Sequence, residues 1–299
     1  MRAREKTASN IAYGPWPAPA PPARMPGGQV QLALARAPDG STQLRDLYQA
    51  QPLRVLFPHL ERGEIFQAAI ACVSGGLVGG DRLGVAVTLG DGTRGTIIGQ
   101  AAEKVYRSLG ADCIVESDLA VGAGAWLEYL PQETILFEAA RLRRRTTVRI
   151  ADGGHFLGGG ILAFGRAARG ERLTRGLVHD GWEIRDGAGR LVWKDALHMA
   201  GDLGALLANP ATFDGAAAYG SLIYAGPAAR DFLDCARDIA GRAAVPGLRI
   251  GATVVRDLLL VRFVGRSALA LRGAFAEIWC GLRAAAGGLP PAMPRLWSI

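Results

Sequence analysis

An aspartate closing a glycine run is the first place where this chain could carry chemistry: Ser74-Gly75-Gly76-Leu77-Val78-Gly79-Gly80-Asp81-Arg82-Leu83. A phosphate site would need a helix behind the run, since the anion sits on free N–H groups at a helix N-terminus. Here Leu83, Val85, Val87 and Leu89 alternate with Arg82, Gly84, Ala86 and Thr88, a period of two that predicts a strand. The G-x-x-x-x-G-K-[ST] pattern is also absent. Gly75, Gly76, Gly79 and Gly80 are therefore read as a bend between packed strands. Asp81 then either takes part in function or holds its own backbone through Asx-type hydrogen bonds.

Acid–base chemistry would need carboxylates converging on one cleft. Glu128, Glu133 and Glu138 fall within Trp126–Glu138, where Pro131 interrupts the strand register. Together with Asp81, Glu128 and Glu133 are the groups a metal- or acid–base-dependent hydrolase would use. Spacing alone brings no two of them together, and surface or turn positions are the expected reading. There is no G-x-S-x-G elbow and no H-E-x-x-H. The histidines (His59, His155, His179, His198) and cysteines (Cys72, Cys113, Cys235, Cys280) are scattered, without the local spacing of a closed zinc site. The cysteines are expected to be reduced. Lys104, one of three lysines, stands beside Glu103 in Gln100-Ala-Ala-Glu-Lys-Val-Tyr-Arg-Ser108, and an ion pair is the simplest reading of the two.

Strands must position these groups. From about residue 29 to 225, short apolar or alternating runs are separated by Gly, Asp and Pro: Leu53–Phe57, Ile65–Val73, Thr96–Tyr106, Cys113–Val121 and Ala125–Phe137. Trp182–Arg185 and Leu191–Lys194 flank a hairpin turn, and Leu248–Val255 with Leu258–Val264 form a second strand pair. Two helices are expected near the C-terminus. One opens at Pro227 and ends near Gly241, and the other runs from about Ser267 to Ala286 with Gly287 as its stop. The fold class is mainly β, with packed, largely antiparallel sheets. Residues 1–28, rich in Pro, Ala and Gly, read as a disordered arm, and residues 29–299 as a single domain.

Composition narrows the classes further. The chain has 299 residues, a net charge of +7 and 49% hydrophobic residues, with no apolar run long enough to span a bilayer. Its charged start lacks the apolar core of a secretory signal, so a cytoplasmic location is expected. Arg141, Arg143, Arg145 and Arg149 would share one face of a strand. That face carries no aromatic residues for base stacking, which favours a solvated surface or an acidic protein partner over nucleic acid.

Taken in order, five motifs resemble the signature of the UreD/UreH family of urease accessory proteins. They are the glycine run with Asp81, then Gln100–Ser108 (with Gln100, Lys104, Tyr106 and Arg107), then Leu127–Phe137 (with Pro131 and Gln132), then Phe164-Gly165-Arg166-Ala-Ala-Arg-Gly-Glu171, and Pro294-Arg-Leu-Trp297. The resemblance covers about residues 29 to 299. It implies a mostly β, non-enzymatic scaffold that binds apo-urease and, with UreF-type and UreG-type partners, helps load nickel. No cofactor is expected to be tightly bound, nickel being in transit through an internal polar channel, and homo-oligomers would form through the complex. Such a conduit must release its ion, so isolated carboxylates and carbonyls suit it better than a Cys/His cage. The carboxylates that could contact nickel are Asp81, which keeps the family pattern, and Glu64, Glu128 and Glu133. The chain departs from many relatives at Ile98 and Gly99, where two threonines are usual, and at Gly160, often a glutamate.

Overall fold

The computed structural model describes residues 27–298. The expected arm at residues 1–28 lies outside this range except for its last two residues, and Gly28 already opens a strand. The strands are β1 (Gly28–Arg36), β2 (Thr42–Ala50), β3 (Leu53–Leu56), β4 (Phe66–Cys72), β5 (Arg82–Leu89) and β6 (Arg94–Gly99). They continue as β7 (Glu103–Val105), β8 (Cys113–Val121), β9 (Trp126–Leu130), β10 (Thr134–Leu136), β11 (Arg141–Ile150) and β12 (His155–Phe164). The last five are β13 (Arg175–Asp186), β14 (Leu191–Asp202), β15 (Ala218–Ala225), β16 (Leu248–Val255) and β17 (Leu258–Gly265). The α-helices are α1 (Leu203–Ala208), α2 (Leu233–Ala243) and α3 (Ala268–Gly287).

Two sheets face each other. The first has seven strands in the order β14-β13-β11-β8-β5-β1-β2. The second has ten, along β16-β17-β15-β12-β9-β6-β4-β3, with β10 joining β12 to β7. One core fills the space between the sheets, where Val30, Val87, Leu142 and Val178 of the first meet Ile97, Leu127, Phe156 and Ile223 of the second. The far face of the second sheet carries another core, in which Leu157, Leu222 and Phe263 pack against Leu271, Phe275, Ile278 and Trp279 of α3. Strand β12 is therefore covered on both sides, as its run of buried residues requires.

The mainly β architecture of packed sheets matches the sequence reading, but the strand sense is mixed. From β4 to β13 the chain steps from one sheet to the other, so neighbours within a sheet run parallel: β1 with β5, β5 with β8, β8 with β11, β11 with β13, and β4 with β6, β6 with β9, β9 with β12. A parallel pair needs a long crossover, usually helical. Here the crossover is a strand of the opposite sheet, giving a solenoid-like winding whose short Gly-rich turns read as hairpins. Antiparallel pairing is confined to the sheet ends, including the expected β13–β14 and β16–β17 hairpins.

Local breaks also differ from expectation. The run Thr96–Tyr106 splits at Gln100–Ala102, where Ala101 takes a left-handed φ of 62°. Ala125–Phe137 splits at Pro131, whose missing N–H ends the ladder. After Pro227 a 3-10 turn over Ala229–Phe232 precedes α2. Helix α3 starts as expected, the Ser267 hydroxyl accepting from the Ala270 N–H at 3.2 Å, and runs one residue further to end at Gly288 (φ 60°). The short α1, capped by Asp202, has too few residues to show a helical period.

Candidate functional site

The glycine run closes on the second motif. Leu77 donates its N–H to the Lys104 carbonyl at 2.7 Å and accepts from the Tyr106 N–H at 2.8 Å, while the Tyr106 hydroxyl donates to the Gly75 carbonyl at 3.1 Å. Gly76 has φ 144°, and a Cβ there would lie 2.4 Å from the Tyr106 ring, so only glycine allows this approach. Asp81 fastens the loop from inside: its Oδ2 accepts the Val78 N–H at 2.8 Å. The fold thus uses Asp81 in the Asx manner.

The other motifs join in sequence. Tyr106 meets Phe137 edge-to-face at 4.8 Å, and the Arg166 guanidinium lies 4.3 Å over the Phe137 ring while pairing with Glu171. The Gly165 N–H donates to the Leu136 carbonyl, and Arg107 bridges to Ala140. Gln132 donates through Nε2 to the Leu296 carbonyl at 2.9 Å, tying the third motif to the last. Residues scattered over more than 200 positions of sequence therefore form one contiguous assembly.

Residues of the first three motifs, Leu77, Gln100, Glu103, Pro131 and Gln132 among them, line a cavity of about 120 Å3 between the two sheets. Apolar side chains make most of its wall, including Leu83, Val85 and Trp182 of the first sheet and Ile70 and Ile97 of the second. Polar groups break that wall at Glu103, Gln132, Ser117, Tyr129, Thr134, Thr146 and Arg144. Gln100 and Ala101, both exposed, mark where it opens to the surface. The Ser117 and Tyr129 hydroxyls share a hydrogen bond of 3.1 Å. Arg144 is held bidentately by Asp180, Nε to Oδ1 at 2.8 Å and Nη2 to Oδ2 at 2.7 Å, and its Nη1 donates to Thr134 at 2.9 Å.

One departure from the family pattern falls on this cavity, and the other stands beside Arg144, which lines it. Ile98 and Gly99 are part of its wall. A Cβ at Gly99 would lie 2.7 Å from the Gln132 nitrogen. A Cβ at Gly160 would stand 3.3 Å from Arg144 Nη2. The carboxylate facing Arg144 comes instead from Asp180 of β13.

Glu103 is the group that sequence reasoning underrated. No ion pair joins it to Lys104, because adjacent strand residues point to opposite sides: Lys104 is exposed and Glu103 lines the cavity. Among the described residues, its carboxylate accepts one hydrogen bond, from the Lys104 N–H at 3.2 Å. Burial pushes its pKa up to about 7, with smaller opposition from Lys104 and a small push from Asp81. A carboxyl whose folded pKa exceeds its unfolded value contributes stability fully below about 4.5, and loses it as pH rises through about 7. Denaturant unfolding at pH 5 and pH 8 should show the wild-type chain losing stability relative to Glu103→Gln, in which this step is absent. Parallel pH curves for the two proteins would contradict the assignment.

The remaining sequence candidates lie elsewhere. Glu128, expected at a surface or turn, is fully buried between the second sheet and α3. It accepts from Arg283 Nε at 2.9 Å, Trp126 Nε1 at 3.1 Å and Thr96 Oγ1 at 2.5 Å. Its strand belongs to the sheet covered on both faces, so the outward side of β9 meets a helix rather than water. Burial pushes its carboxyl up, and Arg283 opposes that. Glu64 takes the other side of the same guanidinium, with Nη1 donating to its Oε1 at 3.0 Å. Glu133 pairs with Arg272 of α3 at 2.8 Å. Glu64, Glu128 and Glu133 thus hold the C-terminal helix, and Asp81 holds its own loop. No hydrogen bond or shared partner joins Asp81, Glu128 and Glu133, and among the described residues no three His, Cys, Asp or Glu side chains cluster to hold a metal.

Two sheets wound around a small, mostly apolar cavity, with Asp81, Glu64, Glu128 and Glu133 engaged in holding loop and helix, define a β-solenoid-like scaffold. Comparison with known proteins places it more narrowly. The family described as UreD urease accessory protein matches residues 27–298. The urease accessory protein UreD of Magnetococcus marinus is 42% identical over 275 residues, 91% of this chain and 94% of that protein. UreD 1 of Methylobacterium radiotolerans is 39% identical over 95% of this chain and 99% of its own length, and the Rhizobium rhizogenes protein is 37% identical over 91% and 95%. This chain belongs to the UreD family of urease accessory proteins. No helix among the described residues is long and apolar enough to cross a membrane.

Proposed function

We propose that this protein is a non-enzymatic scaffold of urease maturation. It binds apo-urease together with UreF-type and UreG-type partners in the cytoplasm, and nickel passes between its two sheets on the way to the urease active site. The observation that carries this reading is the inter-sheet cavity, lined in part by three of the five family motifs and provided with a weakly partnered carboxylate, Glu103, near its opening. A dication leaving water needs negative or dipolar groups on its way. Glu103 supplies the charge when its proton gives way to the ion, and Gln132, Ser117, Tyr129 and Thr134 supply dipoles at spaced positions. None of these makes a closed ligand set, which is what release requires. The Arg144 charge is cancelled by Asp180, so it is not a bare cation in the path.

The scaffold role is tested by co-purification of the chain with apo-urease and a UreF-type protein. A stable complex is expected. Failure to associate when all components are separately folded would overturn the reading.

A further inference from the structure

We infer that His179 and His198 form a second, surface site for a borderline divalent transition-metal ion, one that both imidazoles ligate directly. The two residues face each other in register on the antiparallel β13 and β14. Their Nδ1 atoms are 3.3 Å apart and their rings 5.4 Å centre to centre. Two imidazole nitrogens bound to one ion at about 2.0–2.1 Å with a tetrahedral angle stand about 3.3 Å apart. The spacing a metal requires is thus already present, and the metal replaces the proton now shared between the rings.

The backbone holds that spacing. Within the same hairpin, Lys194 pairs with Glu183 at 2.9 Å, and β13 is locked from its other face by the Asp180–Arg144 pair. Room for the ion's waters exists beside the histidines, since the next cross-strand pair on that face is Gly181 with Ala196. Strand β14 is the edge of its sheet and His198 is exposed, so an ion reaches the pair directly from solvent. The nearby cations are each engaged, Arg143 with Asp112 and Lys194 with Glu183. Their residual field, and only two protein ligands, make the site weak and exchangeable. Neutral imidazole favours Ni2+, Zn2+ and Cu2+ over Mg2+ or Ca2+. The site stands apart from the cavity: Asp180 and Trp182 point inward, whereas His179 has the opposite strand parity.

Equilibrium dialysis of the full chain against Ni2+ tests the assignment, with Zn2+ and Mg2+ as separate arms. His198→Ala is expected to lose one bound Ni2+ equivalent, or to weaken its dissociation constant at least about tenfold. Zn2+ should compete and Mg2+ should not. Glu103→Gln should keep this equivalent, which separates the site from passage through the cavity. Unchanged Ni2+ stoichiometry and affinity in His198→Ala would overturn the proposal. In the wild-type chain, paramagnetic broadening by substoichiometric Ni2+ should fall on the His179 and His198 ring resonances. Broadening confined to His59 or His155 would equally overturn it.

Discussion

Replacing Arg283 with methionine is expected to destabilise the protein by about 3–5 kcal/mol and lower its melting temperature by roughly 10 °C. Arg283 has no solvent exposure, and neither does Glu128, which it holds. The guanidinium also binds Glu64 and the carbonyls of Pro290 and Ala292, so one side chain joins α3, β9, the segment before β4 and the C-terminal tail. Its removal leaves a buried carboxylate without a counter-charge, and that is the costly half of breaking a buried pair. Glu128→Gln keeps an acceptor for Trp126 and Arg283, its amide N–H can donate to the Thr96 hydroxyl oxygen, and it should cost less. The double replacement Arg283→Met/Glu128→Met should recover part of the loss, because it removes the uncompensated buried carboxylate, while Glu64, Thr96 and Trp126 still lose a partner. Thermal and denaturant unfolding of the three variants measures this. A single Arg283→Met change within about 1 kcal/mol of wild type would contradict the lock, since surface substitutions away from such features stay within about 0.5 kcal/mol.

Glu103→Gln is expected to slow nickel transfer by about tenfold while leaving the fold and the complex intact. The substitution is isosteric, and the one hydrogen bond received, from the Lys104 N–H, can still be accepted by an amide oxygen. What disappears is the negative charge that Glu103 offers beside the cavity opening once its proton, held to about pH 7, is displaced. Two unit charges about 4 Å apart interact by about 4 kcal/mol at an effective dielectric near 20. A third of that, about 1.4 kcal/mol, already changes ion occupancy tenfold. Glu103→Asp retains the charge on a shorter side chain and should fall between the two. By contrast, Glu64, Glu128 and Glu133 are bound to arginines, and removing them acts first on the attachment of α3 and the tail.

Strands, turns and the two longer helices were legible because their signals are local. Period-two alternation after the glycine run marked β5, and Ser267 with Gly287 bracketed α3 to within one residue. The Asx role open to Asp81 was also local, three residues from its partner Val78. Strand sense was not legible, because parallel or antiparallel pairing depends on which sheet each strand enters, a non-local choice that short Gly-rich turns do not encode. The α3 lock was hidden for the same reason. Arg283 meets Glu128 and Glu64 across 155 and 219 positions of sequence, and an arginine in an amphipathic helix ordinarily reads as surface. Glu103 was misread because Lys104 follows it, although strand parity sends the two side chains apart. The Gly160 departure became interpretable only when Arg144 and Asp180 were seen beside it.

We propose that nickel reaches urease through the space between the two sheets, past Glu103. The most direct test of that route is the nickel bound per urease active site, measured by elemental analysis over time. The comparison is between purified complexes assembled with the wild-type chain and with Glu103→Gln, at equal complex occupancy. Complexes of equal yield are expected, with a rate of nickel acquisition about tenfold lower for Glu103→Gln. Equal rates of nickel acquisition by the two complexes would contradict the proposal.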